Sequence, residues 1–120
     1  MTDCLFCQIV AGDVPSAEVG SNEMAYAFRD IAPAAPSHVL VVPRRHIRTA
    51  ADLTDEDGPV LMAMIALAQQ VSRSEGIDQS GFRLIFNVGP DALNSVDHLH
   101  LHVMGGHRMG WPVGRQPPEG

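Results

Sequence analysis

Positive charge is scarce in this sequence: Lys and Arg together number 8 against 14 Asp and Glu, a formal net charge of -6. Proteins that hold nucleic acid polymers neutralise phosphates with clustered basic side chains. The one basic cluster, Arg44-Arg45-His46-Ile47-Arg48, is too short to line a groove along a polymer. A small anionic ligand stays open, because a pocket can be locally positive on an acidic protein. Long apolar runs are also missing. The longest, 59–68, is about half of the roughly 20 residues that a membrane span requires, and Asp3 stands where a secretory signal would be basic. A cytoplasmic protein with no membrane segment is expected. Internal repeats, low-complexity tracts and Ser- or Gly-rich linkers are absent too, so a single domain over 1–120 is expected, irregular only in its proline-containing tail 110–120.

What is present is an ordinary globular composition. At 120 residues, 45% of them apolar, the chain can bury roughly two-thirds of the surface that its unfolded form exposes, and it needs no covalent staple to fold. Residues 5–11 read as a short helix ending at Gly12, which can adopt the left-handed conformation just past a helix end. Residues 24–28 and 39–42 have strand length and composition, with Pro33 and Pro36 breaking the chain between them. Thr54 followed by Asp55, Glu56 and Asp57 is a hydroxyl cap with acids where the helix dipole favours them, and the helix should run to about Ser74. Val60, Met64, Leu67 and Val71 form one apolar stripe on it; Leu61, Ile65 and Ala68 form a second beside it. The two stripes fit either one wide core face or a core face plus a contact with a second subunit. Residues 82–87 and 99–104 complete the strands, and a mainly antiparallel α+β fold follows.

The chemistry is concentrated in His98-Leu99-His100-Leu101-His102. In a strand, successive side chains alternate faces. The three imidazoles would then share an accessible side and titrate near neutrality, while the leucines pack under the helix. Two chemistries suit such a row. A metal centre needs three or four converging ligands, whereas nucleotidyl transfer needs one neutral imidazole as nucleophile and neighbours that donate to phosphate oxygens. His38 by itself reads equally well as a structural histidine, and Asp30 as a turn aspartate before proline.

The stretches Ala27-Phe28-Arg29-Asp30-Ile31-Ala32-Pro33 and Pro36-Ser37-His38-Val39-Leu40-Val41-Val42-Pro43-Arg44-Arg45-His46, then Asn87, and then the histidine row followed by Gly105-Gly106, resemble the histidine triad (HIT) family over nearly the whole chain. Met109 and Trp111-Pro112 in the tail resemble its Hint branch of nucleoside phosphoramidases. The resemblance implies a homodimeric α+β fold with a five-stranded, mainly antiparallel sheet, one long helix and a short N-terminal helix. It implies binding of a purine nucleotide such as AMP or an AMP conjugate, attack by His100 on the α-phosphorus, expulsion of an amine, and hydrolysis of the resulting nucleotidyl-histidine. It further implies phosphate contacts from His102, Ser95 and Asn87, a catalytic part for Ser95 and His102, nucleotide binding by Asn94, orientation of the triad by His38, and ribose binding by Asp30. The walls of the base pocket would be Phe6, Ile9, Phe28, Ile31 and Leu40. The phosphate loop departs from the family pattern, with Leu93-Asn94 where Gly-Gln usually precedes Ser-Val. Leucine disfavours positive φ and asparagine reaches less far than glutamine. That departure keeps open a nucleotide-binding regulatory protein with little turnover. Hydrolysis of dinucleoside polyphosphates, or nucleotidyl transfer, shares the triad.

Cys4-Leu5-Phe6-Cys7 has the spacing of a zinc half-site, and the residues alone leave a redox pair or two small apolar side chains as alternatives. The resemblance implies that His46 and His98 complete a structural zinc site with Cys4 and Cys7. His98 would then hold metal while His100 and His102 work on phosphate.

Overall fold

The computed structural model describes residues 3–111; the remainder of the tail expected to be irregular lies outside the described residues. One sheet has the strand order β1-β2-β3-β5-β4, with every neighbouring pair antiparallel. Its strands are β1 (Glu18–Ser21), β2 (Ala25–Arg29), β3 (Ser37–Pro43), β4 (Phe82–Phe86) and β5 (Leu101–Gly105). Helix α1 (Leu5–Ala11) and the long helix α2 (Gly58–Ser74) cover opposite faces of this sheet. Among the described residues, no helix is long and apolar enough to cross a membrane.

The central strand shows why this layering forms. Every residue of β3 is buried, and strand alternation divides its side chains between two cores. Val39 and Val41 join Met64, Leu67, Ala68 and Val71 of α2. Leu40 and Val42 face the other way and join Phe6, Ile9 and Phe28 under α1. Helix α1 stops where expected: Gly12 takes φ 84, a conformation that a side chain would make costly.

Two expectations need correction, and one reading that stood open is narrowed. The acids after Thr54 do not form the first turn of α2. Residues Asp55–Asp57 make a separate 3-10 turn, with the Asp57 carboxylate accepting the Thr54 N–H at 2.9 Å, and α2 begins at Gly58 with Pro59 in its first turn. The two apolar stripes of α2 largely merge, since Ala68 of the second stripe is fully buried in the core. Leu61 and Ile65 are only half-buried at the edge of that face, and Met62 beyond them is 63% exposed. The second correction concerns the histidine row. Strand β5 starts only at Leu101, and the Leu99 N–H donates to the Ile47 carbonyl at 2.6 Å instead of joining the ladder. His98 is fully buried and His100 is 9% exposed, so the three imidazoles do not form an accessible row. His98 Nε2 and His100 Nδ1 find partners inside the protein, as buried polar groups must.

Candidate active site

Each histidine of the row is fixed by a neighbour that also decides which ring nitrogen carries the proton. His98 Nε2 lies 2.9 Å from the Pro43 carbonyl and His100 Nδ1 lies 2.7 Å from the His98 carbonyl. A carbonyl only accepts, so both nitrogens are donors. In the neutral rings this leaves the lone pair on Nδ1 of His98 and on Nε2 of His100. The Ala34 N–H donates to His38 Nδ1 at 2.9 Å, which puts the His38 proton on Nε2. That Nε2 lies 2.8 Å from His102 Nδ1 and donates to it, so His102 keeps its own proton on Nε2.

Sheet register makes the His38–His102 contact possible. His38 pairs with Met104 across β3 and β5, and His102 lies two residues away on the same face. Asp30 Oδ2 is 3.5 Å from His38 Nε2. Asn87 Nδ2 lies 3.4 Å from His102 Nε2, so two hydrogen-bond donors face the same space beside His100. Burial, reinforced by the neighbouring His100 and His38, pushes His102 down to about 4. Burial also lowers His38 and His98. These rings are therefore held in their neutral form near pH 7.

A cavity of about 280 Å³ opens in front of this constellation. Phe6, Ile9, Phe28 and Leu40 are buried side chains on its apolar side; Asp30, Asn87, Ser95, His100 and His102 line the rest. Phe6 packs edge-on against His100, ring centroids 5.2 Å apart, and against Phe28 at 5.5 Å. The structure thus brings together every residue that the sequence assigned to nucleotide binding except Asn94. Ile31 is at the rim and fully exposed, so it is less a wall than an edge. Asn94 instead lines a separate cleft with Arg48, Thr49 and Asp97, its amide donating to Asp97 Oδ1 at 3.5 Å. The Leu93 and Asn94 N–H groups close the loop on the Pro90 and Gly89 carbonyls at 3.0 and 3.1 Å, which engages both inside the loop.

The HIT domain model matches residues 11–109. The chain belongs to the HIT domain family. It is 36% identical over 108 residues to the purine nucleoside phosphoramidase of Escherichia coli, covering 90% of this chain and 91% of that one. It superimposes on a HIT family hydrolase from Legionella pneumophila with a TM-score of 0.91 at 41% identity, covering 93% of this chain and 100% of that one. A histidine triad protein from Clostridium difficile gives a TM-score of 0.87 at 35% identity, covering 92% and 96% respectively.

Beside the HIT triad lies a second cluster, Cys4, Cys7, His46 and His98. His98 Nδ1 is 3.3 Å from Cys4 Sγ, 3.4 Å from Cys7 Sγ and 3.2 Å from His46 Nδ1, and the last of these lies 3.4 Å from Cys7 Sγ. A tetrahedral zinc bonded at about 2.3 Å to sulfur and about 2.0–2.1 Å to nitrogen sets S and N ligands about 3.6 Å apart and two N ligands about 3.3 Å apart. The cluster fits that pattern to within a few tenths of an ångström. The Pro43 carbonyl holds the far nitrogen of His98, leaving Nδ1 aimed at the sulfurs. Without a cation, burial and the adjacent Cys4 push the Cys7 thiol up to about 11.

Sequence reasoning did not assign Leu5, Arg29, Leu93 or Val96 to the cavity that they line. Leu5 and Arg29 immediately precede Phe6 and Asp30, but no chemical signal marked either. Leu93 stood out only as a departure in the loop.

Proposed function

We propose that this chain hydrolyses nucleoside phosphoramidates of the AMP-amine type through a covalent intermediate on His100. The observation that carries the reading is the His100 ring: its Nδ1 donates to the His98 carbonyl at 2.7 Å, which leaves the Nε2 lone pair of a neutral ring as the nucleophile. The apolar cavity side takes the purine, and Asp30 accepts from the ribose hydroxyls. His102 Nε2–H and Asn87 donate to phosphate oxygens together with Ser95. His38 keeps His102 in the donating tautomer.

Nε2 of His100 forms a bond to the α-phosphorus as the phosphorus–amine bond breaks, and the departing amine takes its proton from solvent at the cavity mouth. Water then attacks the phosphorus, the phosphorus–Nε2 bond breaks with its electron pair returning to the ring, and the water's proton is released. Splitting one displacement into two is what a covalent route offers. The phosphoramidase relative at 36% identity supports the reaction class. Neutral His102, lowered to about 4 by burial first, supports activity at neutral pH.

The four-residue cluster fits structural zinc held by Cys4, Cys7, His46 and His98. Bound there, the ion would neutralise the thiolates and pin α1 to the segment before His100. The half-buried Leu61 and Ile65 and the exposed Met62 on α2 support a homodimer, which sedimentation would reveal as a mass twice that of one chain. A second reading, a nucleotide-binding regulator with little turnover, is favoured by one observation. The loop engages the Leu93 and Asn94 N–H groups internally, where they cannot also hold phosphate.

Incubation with an adenosine phosphoramidate, with amine release assayed against the His100→Ala variant, separates the two readings. Release by the parent and none by the variant supports the hydrolase. A folded parent that binds AMP but releases no amine supports the regulator.

A further inference from the structure

Leu93 is, among the described residues, the one non-glycine residue with positive φ, at φ 61 and ψ 31. Only glycine, and to a lesser degree asparagine or aspartate, takes this left-handed conformation without steric cost. Packing gives no reason for leucine here, because the side chain is 86% exposed. Its N–H bonds the Pro90 carbonyl at 3.0 Å, a contact that any residue but proline could make. Neither the backbone nor the core accounts for the leucine. Strain that the fold does not need points to a role at a site.

The side chain lines the cavity that holds His100 and His102, near Ser95, and Leu5, itself 45% exposed, lines the same cavity. His100 is nearly buried at the inner end, with its Nδ1 fixed inward. In an in-line displacement the leaving group departs on the side of the phosphorus opposite the attacking nitrogen, and so toward the mouth. Leu93 and Leu5 give the cavity exposed apolar surface among its polar lining.

We propose that Leu93 is a specificity-determining residue that selects phosphoramidates whose leaving amine carries an apolar substituent. The inference rests on the phosphoramidase reading above. An alkyl or aryl group on the amine would cover Leu93 in the bound state and remove both surfaces from water; a small polar amine would leave the leucine wet. Partial burial of one leucine is expected to favour the apolar amine about tenfold in kcat/KM.

The test is the ratio of kcat/KM for a hexylamine amidate of AMP to that for an ethanolamine amidate, measured for the parent, Leu93→Gly and Leu93→Met. Thermal unfolding runs alongside. The parent should favour the hexyl amidate about tenfold, Leu93→Met should keep the preference, and Leu93→Gly should lose it while melting no lower than the parent. A ratio unchanged in Leu93→Gly, whatever the absolute rates, overturns the proposal. Equilibrium affinities of the two amidates for His100→Ala, with and without Leu93→Gly, read the ground-state preference without turnover, and Leu93→Gly should lower it too. If the parent fails to cleave either amidate, the phosphoramidase reading falls. The binding ratio then still decides whether Leu93 selects the apolar group.

Discussion

At the scale of single residues, the site is a set of proton assignments imposed by backbone groups. The Ala34 N–H acts on His38, and the His98 and Pro43 carbonyls act on His100 and His98. A consequence concerns stability against pH. His102 is held down to about 4 when folded, against about 6.5 for an unperturbed histidine. Between these values the unfolded chain binds the proton and the folded chain does not, so stability falls as pH drops from about 6.5 to about 4 and levels off below. The contribution is about 3 kcal/mol. Urea midpoints at pH 7, 5.5 and 4 should show the decline in the parent, and His102→Gln should make it shallower, the remainder coming from His38 and His98. A parent curve no steeper than the variant's would mean that His102 is not buried in its neutral form.

The legibility of the sequence also differs residue by residue. The motif pointed to His100 and His102, and both line the cavity. It also suggested a regular strand through His98, and that is where pattern alone misled. Alternation of His and Leu is compatible with a strand but does not require one. Here the chain bonds to Ile47 before β5 begins, and His98 turns into the protein. The resemblance implies nucleotide binding by Asn94; the conformation around Leu93 leaves its amide on Asp97 instead.

At the scale of elements, period and punctuation carried the central strands and the long helix. Strand β3 is a run of apolar residues because it is buried on both faces, and α2 shows its core stripe at helical spacing. Strand β1 was not placed from sequence: Glu18-Val19-Gly20-Ser21 has no apolar alternation, and the segment is a strand only through its pairing with β2 at the sheet edge. A second feature invisible in sequence joins three elements. Arg29 at the end of β2 makes a two-pronged ion pair with Glu75 just past α2, at 2.6 and 2.8 Å, and Ser37 of β3 donates to the same carboxylate at 2.8 Å. The Arg29 hydrogen bonds hold the Glu75 carboxyl below its ordinary range. Since Arg29 is half exposed, solvent screening limits the clamp to about 1 kcal/mol. That stability is present above the unfolded carboxyl value of about 4.3 and is lost as pH falls through the lower folded value. Glu75→Gln should therefore unfold at lower urea than the parent at pH 7, with the gap narrowing as pH falls below about 4.3. A gap that does not narrow with falling pH would show that packing, not charge, accounts for it.

At the scale of the whole molecule, two cores sit on opposite faces of one sheet, and the triad emerges where the α1 side leaves a cavity. Cys4 and Cys7 at the start of α1 lie against His46 and His98, which follow β3 and precede β5. A zinc ion there would tie the N-terminal segment to the segment carrying His100. Purified protein is expected to hold about one equivalent of zinc by elemental analysis, and Cys4→Ser to hold far less and melt at a lower temperature. Parent protein that stays metal-free after incubation with zinc would refute the site.

The central claim is the covalent bond between His100 and phosphorus, and trapping it is the most direct test. Protein mixed with an adenosine phosphoramidate labelled at the α-phosphorus would be quenched in base within milliseconds and mapped by peptide. A labelled adduct on His100, formed at least as fast as amine is released and absent from His100→Ala, is the predicted result. Steady amine release with no adduct on His100, or with the label on another residue, would contradict it.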